Sequence, residues 1–107
     1  MRQISAPDLA QWLADPARPR PILLDVREPS EYEICHIPEA RLIPMRTIPL
    51  RLTELPREAE IVAICHHGGR SMQVAMFLEQ QGYGAVYNLV GGVNAWALSV
   101  DPKMPCY

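Results

Sequence analysis

Apolar side chains fall along this chain in two rhythms, short unbroken runs and longer stretches repeating every three to four residues. Ile22-Leu23-Leu24-Asp25-Val26 and Ile61-Val62-Ala63-Ile64 are compact runs, and such runs predict strands buried on both faces of a parallel sheet. Ala85–Leu89 predicts a third strand and Ala40–Ile43 a shorter one. Leu9, Trp12 and Leu13 recur at helical spacing ahead of Asp15-Pro16. Ser5, with Asp8 three positions on, resembles a capping box for that helix, and Pro7 is tolerated in its first turn. Pro29–Ile34 predicts a short helix with Cys35 at its exit, and Ile48, Leu50, Leu52 and Leu55 a weak helix or turn.

The strongest helical pattern runs from Ser71 to Gln81, with Val74, Phe77, Leu78 and Gln81 on one stripe and Met72, Ala75 and Met76 on the next. A face that wide predicts a largely buried helix, capped by Gly82. Met72, Met76 and Phe77 are accordingly assigned to the core. Gly91-Gly92 predicts a turn and Val93–Leu98 a last short helix, with Trp96 as a packing anchor and Trp12 partly exposed. Strands alternating with helices predict an α/β fold of three layers, a mainly parallel central sheet with helices on both faces.

The 107 residues match one domain over residues 1–107. Ten Lys+Arg stand against twelve Asp+Glu, a formal charge of −2 with no long like-charge block, which excludes an electrostatic case for nucleic-acid or membrane-surface binding. No apolar run approaches the roughly 20 residues of a membrane span, and Met1–Asp8 lacks the apolar segment of a signal peptide. Three cysteines are an odd count, which argues against a disulfide scaffold and for a reducing cytoplasm. The eleven prolines are scattered between apolar segments, as loop punctuation. Between Ile61 and Val100 the only charged side chains are Arg70 and Glu79.

That uncharged stretch holds Cys65-His66-His67-Gly68-Gly69-Arg70-Ser71, a cysteine at the carboxyl end of a buried strand followed by a loop and a helix start. Loop N–H groups there can point at the sulfur, and the helix N-terminus adds partial positive charge. Gly68 and Gly69 allow positive φ values, and Arg70 supplies a planar cation suited to an oxyanion. These features would hold Cys65 as a thiolate, the nucleophilic form; alone, a cysteine ending a strand reads equally well as a small core residue. Four residues separate Cys65 from Arg70, one fewer than in the phosphate-enclosing Cys-x5-Arg loop of cysteine phosphatases. The tighter loop better suits a terminal sulfur atom carried on the cysteine.

Three blocks carry a resemblance to a known family. Leu24–Tyr32 with His36-Ile37-Pro38-Glu39-Ala40, then Ile64–Ser71, then Asn88–Trp96 resemble, in order, the first signature, the active-site loop and the closing Gly-Gly-x-x-x-Trp segment of rhodanese-like sulfurtransferases. The resemblance implies that Cys65 attacks the outer sulfur of thiosulfate, releases sulfite and holds a persulfide that cyanide or a thiol then takes. It implies that His66, His67, Gly68, Gly69, Arg70 and Ser71 cradle that sulfur, with Arg70 orienting the donor. No cofactor beyond the persulfide is implied, and a sulfur-carrier protein is a conceivable acceptor. The competing classes are a partner-binding rhodanese-like module without catalysis and, disfavoured by the loop count, a cysteine phosphatase or arsenate reductase.

The remaining polar residues have plainer readings beside the functional ones. Cys35 stands where the family carries glycine before His-Ile-Pro, so positive φ and strain are expected there. It reads either as a redox partner of Cys65 or, preferably, as a half-buried substitution. Asp25, Arg27 and Glu31 read as a buried or half-buried ion pair fixing the first loop, with Arg27 able to shape the site entrance. His36 is expected to hydrogen-bond within its turn. Adjacent Cys-His pairs lack the spacing of zinc knuckles, so no metal is expected. Cys106 reads as an exposed or frayed thiol.

Overall fold

Two runs of residues that alternate strictly between the faces of one sheet organise the molecule. In β4 (Ile61–Ile64), Ile61 and Ala63 pack with Cys65 into one core cluster, while Val62 and Ile64 pack into the other. In β2 (Ile22–Asp25), Leu23 joins the second cluster and Leu24 the first. This is the period-two pattern of a strand covered on both sides. The structure is a computed structural model that describes residues 1–105 and 107; the expectation for Cys106 lies outside the described residues.

The described elements run β1 (Arg2–Ile4), α1 (Ala6–Ala14), β2, α2 (Pro29–Ile34), β3 (Arg41–Leu42), 3-10 turns at Met45–Leu50 and Leu52–Glu54, β4, α3 (Gly69–Gln80), β5 (Val86–Leu89) and α4 (Gly92–Ser99). The strands form a five-stranded sheet in the order β1-β5-β4-β2-β3, and every pairing is parallel. α1 and α4 cover one face through Leu9, Trp12, Val93 and Trp96. α3 and the 3-10 segment cover the other through Val74, Ala75, Leu78 and Ile48. The predicted α/β layering is therefore present.

Local capping explains several boundaries. Ser5 Oγ accepts the Asp8 N–H at 3.1 Å and starts α1. Gly82, at φ +96°, follows α3 in the left-handed region that a glycine adopts at little cost. α3 begins at Gly69, two residues before the predicted Ser71, because Gly68 (φ +106°) is its N-cap. Gly69 is helical and needs no positive φ, a correction to its expected role.

Several expectations change. Trp12 is buried, its indole N–H donating to the Pro19 carbonyl at 2.9 Å. Met72 and Met76 are exposed, and Phe77 is only half-buried; α3 touches the sheet along the narrower stripe Ser71, Val74, Ala75 and Leu78. β1 was not expected, because its residues Arg2 and Gln3 are polar and exposed; it is an edge strand held by pairing to β5.

The connections from β4 and β2 depart in opposite directions, β4 through α3 to β5 and β2 through α2 to β3. In parallel sheets such a divergence opens a crevice at the carboxyl ends of the two strands. The Cys65 loop and the Arg27–Glu31 segment both leave the sheet there. No helix among the described residues is long and apolar enough to cross a membrane.

Candidate active site

Cys65 follows β4 directly, and only 1% of it is exposed. The loop curls back so that the Gly68 N–H donates to Sγ at 3.0 Å and the Ser71 Oγ lies 3.3 Å away. Gly68 can take no side chain without strain, since its φ is +106° and a Cβ would press on the Gly91 N–H and Leu89 carbonyl. Burial pushes the Cys65 thiol up, but the Ser71 hydroxyl and the N–H groups of Ser71, Gly68 and His67 outweigh it, and the net shift is downward. The thiolate is thus favoured by donors around the sulfur. The start of α4 locks the loop from behind: Val93 N–H donates to the Cys65 carbonyl at 2.9 Å and Asn94 N–H to the His66 carbonyl at 3.1 Å.

Arg70 does not stand free over the sulfur. Its Nη1 and Nη2 donate to Glu31 Oε1 and Oε2 at 2.7 and 2.9 Å, a bidentate fork between residues 39 positions apart in the chain. Glu31 also accepts from the Glu28 N–H at 3.0 Å and from the Tyr107 hydroxyl at 2.7 Å. The Arg70 fork, set against partial burial, holds the Glu31 carboxyl at about 2 instead of the ordinary 4.5. A depressed carboxyl stabilises the fold fully above its unfolded value and loses that contribution as pH falls through the folded one. Glu31→Gln is therefore expected to cost about 1 kcal/mol near pH 7 and almost nothing near pH 2, as urea melts of both proteins at the two pH values will show. An equal cost at both would contradict the pairing.

The charged set after β2 divides. Asp25 and Arg27 pair with each other, both fully buried, at 2.7 and 2.8 Å, whereas Glu31 belongs to Arg70. Arg27 Nη2 also donates to the Cys35 carbonyl at 2.7 Å and Nη1 to the Tyr107 hydroxyl at 2.9 Å. Tyr107, which the sequence did not mark, stacks on His66 at 3.9 Å and bridges Arg27 to Glu31. Burial, the largest influence on His66, keeps its ring below the usual imidazole range, and its Nε2 is buried without a hydrogen-bond partner among the described residues. His67 is exposed, and His36 Nδ1 lies 2.9 Å from the Tyr32 carbonyl.

Cys35 corrects an expectation. It is a buried free cysteine with φ −164°, ordinary extended backbone, so it carries no left-handed strain. The turn instead takes its positive φ at Glu39 (φ 73°), four residues on. Cys35 Sγ lies 4.0 Å from Arg27 Nη1. No group of three or more His, Cys, Asp or Glu among the described residues is arranged to hold a metal ion.

A family model for the rhodanese-like domain matches residues 5–99. The chain belongs to the rhodanese-like family. The sulfurtransferase of Allochromatium vinosum is 42% identical to this rhodanese-like domain over 97 residues, 91% of this chain and 89% of that one. The adenylyltransferase and sulfurtransferase uba4 of Ogataea parapolymorpha is 32% identical over 92 residues, 85% of this chain but 24% of its own length. Among solved structures, a rhodanese-like domain protein from Staphylococcus aureus superposes with a TM-score of 0.84 at 31% identity, over 100% of this chain and 99% of that one.

Proposed function

We propose that this rhodanese-like domain moves sulfane sulfur from a small anionic donor to a thiol or cyanide through a persulfide on Cys65. With thiosulfate, the Cys65 thiolate attacks the outer sulfur. The donor's S–S bond breaks and its electron pair leaves on sulfite, so one thiolate and one dianion become one persulfide anion and one sulfite dianion. In the second half, an acceptor thiolate or cyanide attacks the outer sulfur of the persulfide. The electrons of that S–S bond return to Cys65 as thiolate, and the acceptor leaves as a persulfide or thiocyanate.

The observation that carries this reading is a buried sulfur closely ringed by a four-residue loop, with N–H groups and a hydroxyl aimed at it. Those N–H groups, with Gly69 at the start of α3, would hold the outer sulfur's charge; a loop one residue shorter than the phosphate-enclosing Cys-x5-Arg loop favours a terminal sulfur over a phosphate. Arg70 would meet an anionic donor only by sharing or leaving Glu31. No cofactor is needed, because the persulfide is the carrier. A sulfur-carrier protein is an acceptor consistent with the adenylyltransferase and sulfurtransferase relative. A free thiolate requires a reducing compartment, for which we propose the cytoplasm.

Incubation with thiosulfate followed by desalting and intact mass measurement is expected to show one added sulfur atom. Cyanide should remove it as thiocyanate, and Cys65→Ser should never acquire it. No adduct would favour a binding module without catalysis, and turnover of an aryl phosphate instead would favour the phosphatase reading.

A further inference from the structure

Behind the sulfur, the Ser71 hydroxyl leads to Asn88, a buried polar side chain that the transfer reaction as described does not use. Asn88 of β5 is 1% exposed and Ser71 is fully buried. The Ser71 hydroxyl faces two acceptors, Cys65 Sγ at 3.3 Å and the Asn88 side-chain oxygen, yet it has one proton. The Asn88 amide cannot turn round to relieve this. Its Nδ2 lies 3.2 Å from the Gly68 carbonyl, which can only accept, and 2.9 Å from Gln3 Oε1 on β1. Both amide protons are therefore spoken for and Oδ1 must face Ser71.

Counting protons in each state of the sulfur gives the consequence. With Cys65 as a thiol, S–H donates to Ser71 Oγ and Ser71 donates to Asn88, so every group is satisfied. With Cys65 as a thiolate, Ser71 either turns to the sulfur and leaves Asn88 Oδ1 facing a lone pair, or stays and deprives the sulfur of a donor. In a persulfide the charge moves to the outer sulfur, and the inner sulfur no longer needs that proton.

We propose that Asn88 is a positioning residue that claims the Ser71 proton when Cys65 is a thiol or carries sulfur and yields it only to the bare thiolate. The persulfide half of this statement rests on the function proposed above; the thiol half does not. Asn88 thereby opposes formation of the thiolate, which gains the Ser71 proton only by leaving Asn88 Oδ1 without a donor.

The charged groups near Cys65 are Arg70 and, across the crevice, Glu31 and Arg27, with His66 and His67 in the loop itself; α4 brings none, and Tyr87 of β5 turns to Trp12 and Glu60 on the other face. None of these is altered by changing Asn88 or Ser71.

The test is the pH profile of iodoacetamide alkylation at Cys65, which needs no sulfur transfer. Asn88→Ala is expected to lower the midpoint by about half a unit to one unit, the worth of one ordinary hydrogen bond. The shift should vanish in the Ser71→Ala background, because the proposed route runs through that hydroxyl and not through the Gly68 carbonyl that Nδ2 also holds. An unchanged or raised midpoint in Asn88→Ala, or a shift that survives without Ser71, would overturn the proposal. Asn88→Leu, close in volume and without an acceptor, repeats the measurement if the alanine variant does not fold. On the unaltered protein below the alkylation midpoint, the infrared S–H stretch of Cys65, isolated by difference against Cys65→Ser, should be that of a hydrogen-bonded donor; the frequency of a free thiol would refute the arrangement. If alkylation behaves as expected but thiosulfate leaves no adduct, the proton arrangement stands and the sulfurtransferase reading fails.

Discussion

Gly92→Ala is expected to destabilise the fold by more than about 4 kcal/mol, or to prevent folding altogether. Gly92 opens α4 at φ +56°, and a Cβ built there overlaps the Cys65 carbonyl oxygen and comes within 2.5 Å of the His66 carbonyl oxygen. Both obstacles are backbone, so no side-chain rotation relieves them, and the same two carbonyls accept the Val93 and Asn94 N–H groups. The helix start must therefore move away from the loop that holds the sulfur. A loss of that size would lower Tm by roughly 20 °C in a domain this small. Gly69→Ala is the control: nothing lies within 4 Å of its Cβ position and its φ is not positive, so its Tm should be unchanged or slightly raised. Thermal melts of both variants check the pair, and a Gly92→Ala melt within a few degrees of the parent would contradict the close approach.

The contrast between these glycines bears on how much could be read in advance. The buried runs of β2 and β4, the α2 and α3 helices and the cysteine loop were legible because apolar periodicity and Gly punctuation are local signals. β1 was not, since its edge position leaves Arg2 and Gln3 exposed and only Ile4 apolar. Cys65 itself was legible as the end of a strand before a glycine loop. Its surroundings were less so. The Glu31–Arg70 fork joins distant segments, and a motif that assigns Arg70 to substrate says nothing of a carboxylate already holding it. Asn88 stood between Tyr87 and Leu89 in an uncharged strand; period-two alternation could have flagged a polar side chain facing the α3 core beside Ala63, its partner in register. Met72 and Met76 misled because helical spacing records which residues share a stripe and not how wide the contact with the sheet will be.

Arg27→Met is expected to cost about 3–5 kcal/mol, most of it from the Asp25 carboxylate left behind. Both side chains are 0% exposed, and Asp25 receives the Arg27 Nε, Nη2 and backbone N–H at 2.8, 2.7 and 3.1 Å. Burial alone would push the Arg27 guanidinium down, but its hydrogen bonds to Asp25 and Tyr107 hold it above its ordinary value. Removing the cation therefore strands an anion that has no exposed surface, a larger penalty than the pair's net worth. Removing both charges should be milder, so Arg27→Met with Asp25→Leu is expected to recover a substantial part of the loss. Urea unfolding of the two single variants and the double variant forms the cycle; a double variant as unstable as the sum of the singles would show that the pair is not coupled. The consequence reaches the site, because Arg27 Nη2 holds the Cys35 carbonyl at the exit of α2, and α2 carries Glu31 to Arg70. A looser α2 weakens the Arg70 fork, so Arg70→Ala is expected to cost less near neutral pH in the double variant, folded but without this tether, than in the parent. That reduction would show that the buried pair keeps Glu31 on Arg70 at the mouth of the sulfur loop, and an equal cost in the two backgrounds would contradict it.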